Sequence, residues 1–131
     1  MEDSTFFLYN KSMEERQEIY NYVKNKYTTE VDFPFSKDPF TAVLRHKRNK
    51  KWYGIIMEVK KSVLGFDDQQ IVDILNVKCY PEIIGDLRLS KGFYPAYHMN
   101  KEHWLTILLD DCVDMKQIKE LIDISYELTK K

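Results

Sequence analysis

Glycine, cysteine and histidine are scarce in this chain of 131 residues, which has four glycines, two cysteines and three histidines. The glycines form neither a GxxxxGK[ST] loop nor a GxGxxG run, the motifs that cradle phosphates and dinucleotides. Cys79 and Cys112 lie outside any CxxC pair, which indicates two reduced, apolar side chains rather than a disulfide or a metal site. No serine or cysteine stands in a nucleophile signature. The sequence therefore predicts a protein that is not an enzyme and binds no cofactor.

The chain also lacks a long apolar run and an excess of either charge. No segment approaches the roughly 20 apolar residues that span a bilayer, and residues 1–3 (MED) do not resemble the basic start of a secretory signal. Charged residues make up 31% of the chain, with a formal net charge of −1. Any binding to nucleic acid must therefore use a local basic patch. We expect a single soluble, cytoplasmic domain over residues 1–131 that does not associate with membranes.

Apolar periodicity predicts a helix at each end of the chain. Ser12 and Glu15 have the spacing of a capping box, which indicates a helix over residues 13–27. Residues 1–12, with an apolar cluster at positions 6–9, are then an N-terminal extension. Asp114 is expected to cap a last helix over residues 115–129. Between these helices the pattern predicts strands over 41–46, 51–59, 71–78 and 104–109, and a short helix over 81–90.

This order of elements predicts an α+β fold, an antiparallel sheet with the N- and C-terminal helices packed on one face. The other face is expected to be available to solvent or to a partner. Simple alternation along the second strand places Tyr53 with Ile55 on one face and Trp52 with Gly54 on the other. The irregular connection over residues 28–39 is expected to be pinned to the core by Phe33, Phe35 and Phe40.

The turn between the first two predicted strands is strongly basic. Five positive charges fall within seven residues, on Arg45, Lys47, Arg48, Lys50 and Lys51. Cations at a hairpin tip can follow a phosphate backbone and release its counterions, and the adjacent Trp52 could stack on an exposed base. The alternative is a solvated hairpin whose charges keep an exposed turn soluble. The sequence leaves both interpretations open.

The segment from Phe93 to Trp104 contains two of the three histidines. His98 and His103 could ligate zinc as neutral imidazoles, but no HExxH motif or cysteine pair supplies further ligands. The pattern favours a structural corner with hydrogen-bonded histidines, and it predicts no metal site. Hydrolase or metalloenzyme chemistry around these histidines is a more distant alternative.

Three stretches resemble the MmcQ/YjbR family: residues 77–82 (VKCYPE), 94–104 (YPAYHMNKEHW) and 121–128 (LIDISYEL). They match a lysine–cysteine–x–proline–glutamate turn, an HMNKxHW corner and an LIxxSYxL helix, and the likeness extends over about residues 13–129. The resemblance implies a CyaY/frataxin-like fold. It also implies DNA binding through a double wing formed by a hairpin and a loop.

Together these features favour a monomeric, non-enzymatic DNA-binding module with largely sequence-independent phosphate contacts. The basic turn and Trp52 would supply the contacts, and Lys78 and Lys101 would add positive charge. The alternative is a protein- or small-ligand-binding domain that uses the open aromatic face of the sheet. Besides Trp52, the candidate residues for that face are Tyr97, His98, Asn100, His103 and Trp104.

Overall fold

The computed structural model describes the backbone of residues 4–131 and the side chains of residues 11–131. Its helices are α1 (Ser4–Tyr27), α2 (Pro81–Leu87) and α3 (Met115–Thr129). Its strands are β1 (Ala42–Arg45), β2 (Trp52–Lys60), β3 (Ile71–Lys78), β4 (Phe93–Pro95) and β5 (Trp104–Leu108). The five strands form one sheet in the order β1-β2-β3-β5-β4, and every neighbouring pair is antiparallel. No helix in the described part of the chain is long and apolar enough to cross a membrane.

Helices α1 and α3 pack on the same face of this sheet, which confirms the predicted α+β architecture. Asp114 caps α3 as expected, and its carboxylate accepts a hydrogen bond from the Lys116 backbone N–H. The apolar stripe of α3 is buried against the sheet, together with Ile19 and Val23 of α1. From the sheet, this core receives mainly Leu44, Tyr53, Ile56, Leu75, Val77, Leu105 and Ile107.

Helix α1 begins at Ser4, so the predicted start at residue 13 and its capping box are wrong. Ser12 and Glu15 lie inside the helix and have tertiary partners instead of capping roles. The Ser12 hydroxyl donates to Asp73 Oδ2 at 2.5 Å, and Glu15 Oε1 accepts from the Asp111 backbone N–H at 2.8 Å. Ser12 thus contacts β3 and Glu15 contacts the loop after β5, so neither side chain caps the helix. The apolar cluster at positions 6–9 lies outside the described side chains.

A buried ion pair joins α1 to the start of β3. The Arg16 guanidinium donates from Nε to Asp73 Oδ2 at 2.7 Å and from Nη2 to Asp73 Oδ1 at 2.8 Å. The side chains are only 5% and 7% exposed. Glu15, one residue earlier, is also buried. Burial raises the pKa of Glu15 to about 7, and the nearby carboxylates of Asp111, Asp110 and Glu18 act in the same direction.

A β-bulge at the start of β2 changes which face Tyr53 occupies. Leu44 pairs with Gly54 whereas Arg45 pairs with Trp52, so Tyr53 is the extra residue. Its ring is buried in the core beneath the helices, and the prediction that it shares a face with Ile55 is wrong. The Ser125 hydroxyl closes the adjacent gap in the ladder, because it accepts from the Lys78 N–H at 2.9 Å and donates to the Tyr53 carbonyl at 2.6 Å.

The second face of the sheet is mostly covered, which contradicts the expectation that it is open. Its residues Val43, Ile55, Ile74, Asn76, Thr106 and Leu108 are all buried. β4, which the sequence did not predict, adds an edge strand beside β5, and the chain that follows it crosses this face at Tyr97. Asn76 Nδ2 donates to the Tyr97 carbonyl at 3.0 Å, and the Tyr97 N–H donates to Thr106 Oγ1 at 2.9 Å. These polar anchors hold Tyr97, two residues after the end of β4, against this face of the sheet.

The connection before β1 is held to the edge of the sheet by backbone hydrogen bonds and not by burial of its phenylalanines. The Asp32 N–H donates to the Val43 carbonyl at 3.0 Å, and the Val43 N–H donates to the Asp32 carbonyl at 2.7 Å. The predicted pinning of this segment by its phenylalanines is therefore wrong. The exposed fractions are 49% for Phe33, 42% for Phe35 and 55% for Phe40.

Candidate functional site

One end of the sheet gathers most of the residues that the sequence marked as candidates. At this end β1 finishes at Arg45, β2 starts at Trp52, β3 finishes at Lys78 and β5 starts at Trp104. Helix α3 also ends here, because Thr129 contacts His46 in the turn between β1 and β2. We call this part of the molecule the basic end.

The turn between β1 and β2 is anchored on the C-terminal end of α3. His46 is 4% exposed, and its Nε2 lies 2.7 Å from the Thr129 hydroxyl oxygen, whose own proton goes to the Ser125 carbonyl. The ring nitrogen is therefore the donor. Burial lowers the pKa of His46, which keeps the imidazole neutral near pH 7. Asn49 Nδ2 donates to the carbonyls of Thr129 and Lys131, each at 3.2 Å.

The five cations of the turn divide into two groups. Arg45 Nε is paired with Asp32 Oδ2 at 2.9 Å, and the Lys51 ammonium donates to the Lys131 carbonyl. These two cations hold structure in place. Lys47, Arg48 and Lys50 are exposed, and no carboxylate among residues 11–131 pairs with them. These three are the cations of the turn that remain available to an anionic ligand.

Two lysines that the sequence reasoning missed extend this charge. Lys130 and Lys131 line a hollow of about 490 Å³ together with Arg48 and Asn49. Lys130 is partly neutralised by Glu127 at 2.6 Å. We call Lys47, Arg48, Lys50, Lys130 and Lys131 the basic surface. The sequence does show a lysine pair at positions 130–131. Only the contact between the turn and α3 shows that this pair lies beside the cations of the turn.

The remaining candidates are distributed around the covered face. Tyr97 packs on the apolar cluster of the second face, and the exposed His98 ring stacks on it at 3.9 Å. The Asn100 carboxamide oxygen accepts from the backbone N–H groups of Glu102 and His103, so Asn100 shapes the turn before β5. Lys101 and His103 are exposed. These residues do not form the open aromatic face expected from the sequence, because Tyr97 is part of its cover.

Two further observations concern charge and metal binding. Within residues 11–131, no three His, Cys, Asp or Glu side chains are grouped so that they could hold a metal ion. The opposite end of the sheet is acidic: a cleft of about 620 Å³ there is lined by Glu58, Asp68, Asp73 and Asp110 among others. Lys61 also lines this cleft, and Asp73 is paired with Arg16, so Glu58, Asp68 and Asp110 are its carboxylates outside that ion pair.

Comparisons with known proteins identify the family. The chain is 48% identical over 115 residues to the uncharacterized protein YyaQ of Bacillus subtilis, which covers 88% of this chain and 98% of the relative. A crystal structure of a Pseudomonas syringae protein has 44% identity and a TM-score of 0.83, covering 87% of this chain and 97% of that one. A Deinococcus radiodurans protein with a DUF419 domain has 25% identity and a TM-score of 0.67, covering 88% and 78%. The YjbR family model matches residues 24–128, and the chain belongs to the YjbR (DUF419) family.

Proposed function

We propose that the protein is a non-enzymatic DNA-binding module that contacts phosphates through the basic surface. One observation carries this proposal: Lys47, Arg48 and Lys50 are exposed on a turn that His46 and Asn49 anchor to α3, and no carboxylate of residues 11–131 pairs with them. An anchored turn presents its cations at fixed positions, so binding orders little of the backbone. We propose further that the protein binds DNA as a monomer and needs no cofactor.

The chemistry of this surface favours affinity without sequence preference. Lysine and arginine side chains contact phosphate oxygens, which are the same at every base pair. Each neutralised phosphate releases condensed counterions, so binding weakens as salt rises. The acidic opposite end would repel the nucleic acid and orient the protein with its basic end towards the strand.

A salt-dependent titration tests the proposal. Fluorescence anisotropy of labelled duplex and single-stranded oligonucleotides, at several salt concentrations, should give a linear fall of log K against log salt. From three phosphate contacts, the slope should be at least about 2.7 with duplexes and about 2.1 with single strands. Oligonucleotides of unrelated sequence should bind with similar affinity. Absence of binding to every oligonucleotide at roughly 50 mM salt, where charge-driven association is strong, would refute the proposal.

A second candidate function is binding to another protein, favoured by the exposed phenylalanines Phe33, Phe35 and Phe40 beside the sheet edge. Exposed large apolar side chains can mark a protein interface, and these three fall within one segment of eight residues. If this surface is used, the combined substitution of Phe33 and Phe40 by Ser should abolish capture of a partner that the wild-type protein captures. Retention of the partner by this variant would exclude the surface.

A further inference from the structure

Four side chains of alternating chemistry lie in a row across the basic end. Leu44 and Leu105 belong to the core beneath the helices, so their neighbours Arg45 and Trp104 lie on the opposite face of the sheet. Trp52 pairs with Arg45, and Lys78 pairs with Trp104. Across the adjacent strands β1, β2, β3 and β5, the order is therefore Arg45, Trp52, Lys78, Trp104, which we call the alternating row.

The spacing of the strands sets the dimensions of this row. Neighbouring strands are about 4.8 Å apart, so the β2 and β5 backbones that carry the two tryptophans are separated by roughly 10 Å, with β3 and its Lys78 between them. The whole row spans about 15 Å. Lys78 is half-buried, and none of the described carboxylates pairs with it. The row therefore offers two aromatic surfaces with a positive charge between them.

The indole of Trp52 is held in place before any ligand arrives. The Arg45 guanidinium lies 5.3 Å from its ring centre, and the ion pair with Asp32 fixes that guanidinium. The ring of Phe35 meets the indole edge-on at 6.3 Å between centres. Trp52 and Trp104 nevertheless remain half-exposed. Stacking on a ring that is already oriented loses little side-chain entropy.

The stacked pair of Tyr97 and His98 lies beside the row. The Tyr97 carbonyl is hydrogen-bonded to Asn76, which precedes Lys78 by two residues on β3, a distance of about 7 Å along the strand. His98 has a left-handed backbone conformation with φ of 57° and an exposed ring. A third planar surface is thus available near the two indoles.

We propose that the alternating row binds unpaired bases, so that the ligand of the basic end is a single-stranded nucleic acid. This inference rests on the proposed function and specifies its ligand. Within a duplex each base is stacked between its neighbours, and proteins contact only its edges from the grooves. An unpaired base presents its flat face to an indole. Lys78 and the basic surface beyond Trp52 neutralise phosphates of the same strand.

The tryptophans themselves report on this binding, because both tryptophans of the chain lie in the row. Titration with oligo(dT) and oligo(rU) of about 15 nucleotides, and with a duplex of equal length, should show quenching of tryptophan emission by single strands only. Single strands should also bind more tightly than the duplex. The tighter of the two single-stranded ligands identifies DNA or RNA as the source of the unpaired bases.

Substitutions separate stacking from charge. Replacing Trp52 or Trp104 by Ala should weaken single-strand binding roughly fivefold to 150-fold without changing the salt slope. Replacement by Phe, which keeps an aromatic face, should restore most of the affinity. Phe66→Ala, a change of a 38% exposed aromatic residue outside the row, is the matched control and should have no effect. Circular dichroism verifies that each variant is folded. If an alanine variant does not fold, the inference is tested by whether single strands, and not the duplex, quench the tryptophan emission of the wild-type protein.

Each outcome separates this inference from the function on which it rests. Equal binding of duplex and single strand, or unchanged binding by both Trp→Ala variants, would overturn the inference while leaving phosphate binding intact. Binding to neither ligand at roughly 50 mM salt would overturn the proposed function itself.

Discussion

Neutralising the three available cations of the turn is the sharpest test of phosphate binding. In a Lys47→Gln/Arg48→Gln/Lys50→Gln variant, three candidate contacts disappear, while Arg45 and Lys51 keep their structural partners Asp32 and Lys131. Each lost contact should remove about 0.9 from the slope of log K against log salt with a duplex and about 0.7 with a single strand, so the slope should flatten by about 2.7 and about 2.1 respectively. If the variant and the wild-type protein bind a duplex equally at 1 M salt, the variant should bind roughly 500-fold more weakly than the wild type at 0.1 M salt. At 0.5 M salt the difference should be only about sixfold.

The chain offers a matched control at the opposite end of the sheet. Lys60, Lys91 and Lys116 are exposed and lie near the end of β2, the start of β4 and the start of α3. Their combined replacement by Gln changes the net charge by the same three units. If net charge alone governed binding, both triple variants would lose affinity equally. If the basic surface governs it, the control should bind almost as the wild-type protein does.

The assay is fluorescence anisotropy at four or more salt concentrations, with urea unfolding of each variant beside it. Exposed substitutions of this kind typically change stability by less than about 0.5 kcal/mol. A loss of affinity therefore reports on contacts rather than on unfolding. An unchanged salt slope in the turn variant would refute the assignment of phosphate contacts to Lys47, Arg48 and Lys50.

Three further predictions concern the fold, each measured by urea unfolding. Because the pKa of Glu15 is raised from 4.5 to about 7 in the folded state, its contribution to stability is complete below about pH 4.5 and is lost as pH rises through 7. Glu15→Gln should therefore stabilise the protein at pH 8, by up to about 3 kcal/mol, and little at pH 4, whereas the exposed Glu14→Gln should have little effect at either pH. Asp73→Asn should destabilise the protein by about 3–5 kcal/mol, because it leaves the Arg16 charge buried without its partner; a loss below 1 kcal/mol would contradict this account. Ser125→Ala should lower stability by about 1–3 kcal/mol, since the Lys78 N–H and the Tyr53 carbonyl lose their shared partner, and an unchanged unfolding midpoint would contradict that role.

The elements that could be predicted from the sequence are those with strong local signals. Helix α3 has a capping aspartate and an apolar stripe, and β3 was predicted with its observed bounds because its residues are mostly β-branched or apolar. The start of α1 was wrong because Ser12 and Glu15 imitate a local cap while binding partners far away in sequence. Separations of 61 and 96 residues, to Asp73 and Asp111, leave no mark on local periodicity.

The covered second face was missed for a related reason. Burial there depends on polar anchors, Asn76 and Thr106, that hold the segment before β5. In sequence each is a polar residue between apolar neighbours, and a half-exposed face would give the same pattern. The bulge at Tyr53 likewise has no local marker, because one extra residue reverses the face of a side chain without changing the composition.

The composition of the candidate site illustrates what the sequence can and cannot specify. A run of cations at positions 45–51 is visible in the sequence, yet it does not reveal that Arg45 and Lys51 are engaged within the protein. It also does not reveal that Trp52 and Trp104, 52 positions apart, lie on the same face at the same end of the sheet. Strand register produces that arrangement. Because one residue of slippage would move these indoles to the other face, the alternating row depends on the bulge and on the Ser125 bridge as directly as on its own side chains.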